Sequence, residues 1–333
     1  MMKNVRDADW TGRAGDLPDR NRDNLGPAGP IVRGLPEPSG GFRLVVAIPS
    51  TGRAQILPDT VRAIALQDRL PDLLILSLAF PEDIGDLDIE TLPFPVEVVM
   101  GRKSATAQRN RVFEELNPDD IVLMLDDDFL MAPDYLQKTL AVFQDDAEVV
   151  LATGTVLADG IRGPGYSHEQ GRALLAELNT DSLPDTRAPA HSGYGCNIAF
   201  RVSVVAAYEL WFDEDLPLYS WLEDVDFSRR IAQYGTLVKS GAMRGVHLGT
   251  KTGRTPGVRL GYSQIANPVY LLRKGSMTIW HVLEMTSRNM LSNLTHSVRP
   301  PPYVDFRGRL KGNLIALADL LRGKVSPDRI LDL

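Results

Sequence analysis

Runs of consecutive apolar residues alternate with segments of helical spacing over the first third of the ordered chain. Leu44 to Ile48, Leu73 to Leu78 and Ile121 to Leu125 are short, mostly apolar runs bounded by turn residues, which predicts buried strands, and Val96 to Met100 predicts a further short strand. Between them, Leu57 to Leu66 carries Pro58 and Asp59 near its start, and Ser104 to Leu116 offers Ser104 as an N-cap, so both predict helices. The alternating β-α-β-α-β pattern is that of a parallel sheet with helices packed on its faces. A helix over Pro133 to Phe143 and a strand over Ala147 to Thr155 continue it. Asp159 to Ala190, rich in Gly and Pro, predicts an insertion over the sheet edge with a helix around Glu169 to Leu178. From Asn267 to Leu294, Val269, Leu272, Ile279, Leu283 and Met290 recur at helical spacing, which predicts one amphipathic stretch. A further helix is expected from Gly312 to Leu321, after Pro300-Pro301-Pro302.

Composition narrows the function classes. A chain of 333 residues with a formal net charge of −7 is no general nucleic-acid binder, because nothing in it would neutralise many phosphates. The single cysteine, Cys196, excludes an internal disulfide and fits a reducing compartment. No apolar run reaches the length of a membrane span. Residues 1–41, rich in Asp, Arg, Gly and Pro, read as a flexible leader without a secretory signal, and the expectation is a cytoplasmic protein.

The chemistry concentrates in two acidic clusters. The strand Ile121 to Leu125 runs into Asp126-Asp127-Asp128, and ligands of open α/β sheets sit beyond the carboxyl ends of strands. A divalent cation bridging phosphates takes oxygen ligands, and in extended chain Asp126 and Asp128 point the same way while Asp127 faces elsewhere. A solvated acidic turn after a core strand accounts for the same triplet taken alone. Glu223-Asp224, before a helix continuing through Arg229 and Arg230, is equally a favourable helix start and a general base. His247 can complete a metal shell or be an ordinary loop histidine, and the chain after it carries Lys251, Gly253 and Arg254, which suit a phosphate-covering loop. Cys196 reads as a buried free thiol rather than a nucleophile.

In chain order these pieces resemble the family 2 glycosyltransferases of the GT-A fold, a Rossmann-like, mostly parallel α/β sheet flanked by helices. Four motifs between about Leu44 and His247 carry the likeness: Leu44 to Pro49 with Thr51-Gly52-Arg53, Ala107-Gln108-Arg109-Asn110, Asp126-Asp127-Asp128, and Leu222-Glu223-Asp224. The resemblance implies a GT-A domain over 42–260 and a C-terminal helical extension over 261–333. It implies that Pro49, Thr51, Arg53, Arg109, Asn110, Asp126, Asp127, Lys251 and Arg254 contact a nucleotide. Asp128, Asp126 and His247 would hold Mg²⁺ or Mn²⁺, and Asp224, beside Glu223, would act in catalysis as the base. The implied reaction moves a sugar, with inversion, from a nucleotide-diphosphate sugar to a hydroxyl of a saccharide or lipid-linked saccharide. Its setting would be surface-polysaccharide synthesis, and it allows peripheral contact at the inner face of the membrane; Arg273, Lys274 and Arg288 of the amphipathic segment suit anionic lipid, and packing of that segment on the sheet accounts for it equally. One departure concerns the nucleotide base: the family has an Asp-rich segment after the second strand, where this chain has Leu78-Ala79-Phe80-Pro81-Glu82-Asp83, leaving Glu82 and Asp83 as candidates. Two other classes use similar residues, a haloacid-dehalogenase-type phosphohydrolase and an inactive nucleotide-sugar-binding protein. The first wants its Asp-x-Asp on the first strand, whereas three strands precede it here.

Overall fold

A computed structural model describes residues 41–180, 183–252 and 255–333; the leader predicted over 1–41 lies, up to residue 40, outside the described residues, as does Arg254. The first half follows the predicted order: β1 (Arg43–Ser50), α1 (Leu57–Ile64), β2 (Leu73–Leu78), β3 (Val96–Met100), α2 (Ala105–Phe113) and β4 (Asp120–Leu125). Then come β5 (Phe129–Met131), α3 (Tyr135–Asp145), β6 (Val149–Asp159), α4 (His168–Leu178), β7 (Arg187–Pro189), β8 (Asn197–Arg201), α5 (Val202–Ala207), α6 (Glu223–Ile231) and β9 (Thr236–His247). The chain closes with α7 (Gly257–Lys274), α8 (Ile279–Ser297) and α9 (Phe306–Leu321).

The strands form one sheet in the order β3-β2-β1-β4-β8-β6-β9-β5, with β7 on β9. The β3-β2-β1-β4 half is parallel. Beyond β4 the sheet is mixed: β8 runs antiparallel to both β4 and β6, and β6 runs parallel to β9. The apolar runs work as expected. Leu44, Val46 and Ile48 of β1 enter one core layer with Leu123 and Leu125, while Val45 and Ala47 enter the other with Val122 and Met124. Period-two alternation therefore fills both faces of the central strands.

Three local expectations change. Ser104 does precede α2, but its side chain makes no capping hydrogen bond and instead meets Thr106 and Ser220. The C-terminal amphipathic stretch is two helices, because Gly275 takes φ 91° and its N–H closes α7 on Leu271 and Leu272, while the Thr278 side chain starts α8 by accepting from His281. The helix after the prolines begins at Phe306, six residues before Gly312, where Asp305 accepts from the Gly308 N–H.

Lys274 is not available to a membrane surface. Its ammonium is buried between Asp213 and Asp226, at 2.8 Å from Asp226, which also receives Arg230 and Ser276. This cluster ties the end of α7 to α6. Removing one partner of a buried charge network leaves the others uncompensated, so Lys274→Met is expected to cost about 3 kcal/mol in urea unfolding. An unchanged urea midpoint would refute that weight.

Candidate active site

Strand ends bring the acidic triplet and His247 together. β4 stops at Leu125, and a tight turn reverses the chain into β5, whose Phe129 pairs with His247 at the end of β9. Asp126, Asp128 and His247 each offer one ligand atom, all within 4.8 Å of one another. Asp127 points the other way: it accepts from Ser50 Oγ at 2.5 Å and from Arg53 at 2.5 Å, with Thr60 Oγ1 donating to its carbonyl. Burial pushes the Asp127 carboxyl up to about 6 against the pull of Arg53. Asp127 is thus a pin between β4 and the β1 turn, which departs from the nucleotide contact expected of it.

The donor set fits a divalent cation. Asp128 is 1 % exposed, yet its Oδ1 has no hydrogen-bond partner; Oδ2 accepts the Thr250 N–H at 2.8 Å. A buried, unsatisfied carboxylate oxygen is costly unless something cationic meets it. His247 Nε2 lies 3.4 Å from that oxygen, and its Nδ1 is 2.9 Å from Asp159 Oδ1. Burial opposes charge on both groups, but their mutual attraction outweighs it: His247 rises to about 10, and Asp128 is held well below the usual carboxylate range with help from Arg53. Two carboxylates and an imidazole steadied from behind by a third carboxylate form a common divalent-metal arrangement.

Asp159 and Tyr194 complete the cluster from outside the sequence motifs. Asp159 ends β6 opposite His247 in the register, and its other oxygen accepts from Tyr194 at 2.9 Å. Its signal was available, since Val156-Leu157-Ala158-Asp159 repeats the pattern of an apolar run ending in Asp. Asp159→Ala is expected to weaken Mn²⁺ binding about 10–100-fold by calorimetric titration without unfolding the chain. Unchanged affinity would show that Asp159 does not orient His247.

Arg109 links the metal cluster to the second acidic pair. Its guanidinium is 3 % exposed; Nη1 donates to Glu223, and Nη2 reaches Asp126 Oδ1 at 3.3 Å and the Gly195 carbonyl at 3.0 Å. Burial raises the Glu223 carboxyl to about 8 against the pull of Arg109, and this carboxyl is spent on holding Arg109. Asp224 is less enclosed. Its Oδ2 accepts the Gly195 N–H at 2.9 Å and its Oδ1 the Val225 N–H at 2.8 Å. Gly195 thus meets both sides of the site through its backbone, its N–H going to Asp224 and its carbonyl to Arg109. The pair is delivered by a tightly wound segment in which Leu218, Ser220 and Leu222 all have positive φ, 61°, 56° and 76°. Such backbone costs of order 1 kcal/mol per residue and is concentrated at functional sites.

The remaining candidates divide. Arg53 stands at the cluster, 3.5 Å from Asp128 and donating to the Thr252 carbonyl, while Thr51, beyond Pro49 of β1, keeps a buried Oγ1 without a hydrogen-bond partner. Asn110 is turned elsewhere: its amide donates to Phe212 O and Glu214 and accepts the Phe212 N–H, so it shapes the loop before α6. Lys251 reaches the carbonyls of Gly160 and Ile161 at 3.1 and 3.0 Å. Asp83 accepts from Gly52 and Phe80 backbone N–H groups at 2.7 and 3.0 Å, so its carboxylate builds the β1 turn instead of facing a base. Cys196 is buried, and burial pushes its thiol far above the ordinary value, as expected of an inert thiol.

The family model described as glycosyltransferase-like family 2 matches residues 42–240. No curated protein matches the chain in sequence. Solved structures share the fold at low identity. TarS 1-349 of S. aureus, in complex with UDP-GlcNAc, is 12 % identical over 87 % of this chain and 83 % of its own, with a TM-score of 0.52. The mannosyltransferase PcManGT of Pyrobaculum calidifontis, bound to GDP-Man and Mn²⁺, is 14 % identical over 89 % and 87 %, also with a TM-score of 0.52. GalNAc-T7, with UDP, GalNAc and Mn²⁺, is 16 % identical over 87 % of this chain and 58 % of its own, with a TM-score of 0.53.

Proposed function

The chain belongs to glycosyltransferase-like family 2, and on that premise we propose that it transfers a sugar from a nucleoside-diphosphate sugar to a hydroxyl of a saccharide or lipid-linked saccharide, with inversion. One observation carries the reading: Arg109 bridges the Asp126–Asp128–His247 cluster and the Glu223–Asp224 pair. Groups suited to a diphosphate and a group suited to an acceptor proton thereby lie around one guanidinium. Asp126, Asp128 and His247 would hold Mg²⁺ or Mn²⁺, which when bound offsets the charge that builds on the leaving diphosphate. Arg53, beside Thr51, adds positive charge on the diphosphate side.

Asp224 takes the proton of the acceptor hydroxyl as its oxygen bonds to the anomeric carbon. The bond from that carbon to the diphosphate breaks, and the nucleoside diphosphate leaves with the electron pair. Gly195 and Val225 N–H groups keep the Asp224 carboxylate in place, and Arg109 holds Glu223 back from competing for the proton. The phosphohydrolase alternative wants its Asp-x-Asp on the first strand of the sheet, whereas Asp126 and Asp128 follow β4. Among the described residues no helix is long and apolar enough to cross a membrane, so a lipid-linked acceptor would be met from one side.

The test is a transfer reaction with UDP-, GDP- and dTDP-sugars, Mn²⁺ and a panel of saccharide acceptors, read by nucleoside-diphosphate release and by NMR of the new linkage. Retention of anomeric configuration would refute the single-displacement step. Release of inorganic phosphate without a glycosidic product would favour the phosphohydrolase.

A further inference from the structure

α8 leaves an ordered apolar seam uncovered. Its buried side, through Val282 and Asn293, already packs on α7 and α9, where Asn293 donates to Gln264 and Asn313. On the opposite side Trp280, Leu283, Leu291 and Leu294 are 77, 50, 62 and 55 % exposed, with exposed Ser287 between them and with Ile279 and Val298, 46 and 74 % exposed, at the two ends of the helix. Isolated exposed apolar residues need no explanation, but a continuous stripe on one helix does.

Inside those two end residues the spacing of the stripe is symmetric. Trp280, Leu283, Ser287, Leu291 and Leu294 follow one another at intervals of 3, 4, 4 and 3 positions, a palindrome centred on Ser287. Reversing the helix direction about Ser287 superposes the pattern on itself: Trp280 falls opposite Leu294, Leu283 opposite Leu291, and Ser287 opposite Ser287. An isologous two-fold contact requires that kind of self-complementarity. The small side chain lies where two antiparallel helices would cross most closely, and the largest lie at the ends.

The flanking charges obey the same symmetry. Glu284 and Arg288 lie one turn apart on a single flank of the seam, 69 and 80 % exposed and only loosely paired with each other at 3.9 Å. In an antiparallel pair each Glu284 comes alongside Arg288 of the other copy, giving two opposite-charge contacts. A lipid surface matches less well, because interfacial helices carry a polar face rich in Lys and Arg. α8 has one Arg, no Lys and one Glu.

We propose that α8 is a self-association surface through which two copies of this chain pair antiparallel about a two-fold axis at Ser287. Nineteen residues make a face about 28 Å long and about 10 Å across. Its projected area of roughly 300 Å² is well below the ~800 Å² per partner of a standard stable interface, so the pairing is of the weak, reversible class. The pairing also borders the acceptor side of the site: the His281 ring lies 5.1 Å from that of His191, in the loop that runs to Gly195.

Sedimentation of the full chain from about 1 to 200 μM, scaled to this interface class, tests the assignment. The mass should move from one chain toward two, and Ser287→Glu, which sets two like charges across the axis, should keep it at one. Glu284→Arg and Arg288→Glu should each weaken the dimer at least several-fold, and the double exchange should restore it. Under diamide, Ser287→Cys should form a disulfide-linked dimer, whereas Ser292→Cys, off the seam, should not. All these positions lie outside the core, and unchanged circular-dichroism melts confirm folding. A chain that stays monomeric throughout, a dimer indifferent to Ser287→Glu, or equal cross-linking from positions 287 and 292 overturns the proposal. Flotation of a monomer with phosphatidylserine vesicles, lost in Ser287→Glu, would give the seam to lipid and overturn it as well.

Discussion

Asp128→Asn is expected to abolish Mn²⁺-dependent nucleotide binding and to lower sugar transfer about 10²–10³-fold, the range seen when one electrostatic stabiliser of a developing anion is lost. The amide keeps an oxygen for the Thr250 N–H and nearly the same volume, so the fold has little to repair. It removes the anionic oxygen that stands buried without a hydrogen-bond partner beside His247. A thermal-shift series with UDP, GDP and dTDP, each with and without Mn²⁺, reads the effect directly. A diphosphate at about 100 times its dissociation constant stabilises the native state by about 2.7 kcal/mol. Wild type should show that shift for one nucleotide only when Mn²⁺ is present, and Asp128→Asn should not show it at all. Equal shifts in both proteins would mean that Asp128 does not hold the ion. A shift that needs no metal in wild type would remove the cation from the proposal altogether.

How much of this was legible in the sequence depends on the type of strand. β1, β2 and β4 carry nearly unbroken apolar runs buried on both faces, and such runs announce themselves. β8 reads Asn197-Ile198-Ala199-Phe200-Arg201, with polar residues that are nonetheless buried because Asn197 bonds Thr153 and Gly154 and Arg201 bonds the carbonyls of Val149 and Phe143. Composition carries no trace of those partners. β9 hides differently, since register shifts against β6 break its alternation, and the short apolar step before His247 gives little sign that this residue ends a twelve-residue strand.

The acidic motifs were visible for a local reason: carboxylates after an apolar run are anomalous wherever they occur. The roles within each motif were not visible. Asp127 and Asp128 are neighbours in sequence, yet one is fastened to Ser50 and Arg53 and the other is left open beside His247. Glu223 and Asp224 differ likewise, because Arg109, 114 positions away, pairs with the first. Such assignments depend on long-range contacts that no window along the chain contains.

That division predicts unequal phenotypes for the second acidic pair. Asp224→Asn should cut the rate of transfer about 10²–10⁴-fold, the usual weight of a positioned general base, with nucleotide and Mn²⁺ binding unchanged because Asp224 is no part of the metal cluster. The pH profile supplies a second reading. Burial raises the Asp224 carboxyl above its ordinary value, with the Gly195 N–H and Arg109 acting against it. The base works only as the carboxylate, so kcat/KM should fall as pH drops through that raised pKa, and this acid limb should lie above the usual carboxylate value of about 4. Asp224→Asn should flatten the limb along with lowering the rate. Glu223→Gln should behave differently: it loosens Arg109 from both acidic clusters, so it should weaken nucleotide binding as well as turnover and leave the limb in place. If Asp224→Asn retains wild-type kcat/KM, or if its acid limb persists unchanged while that of Glu223→Gln disappears, the base is Glu223 or a group outside this pair.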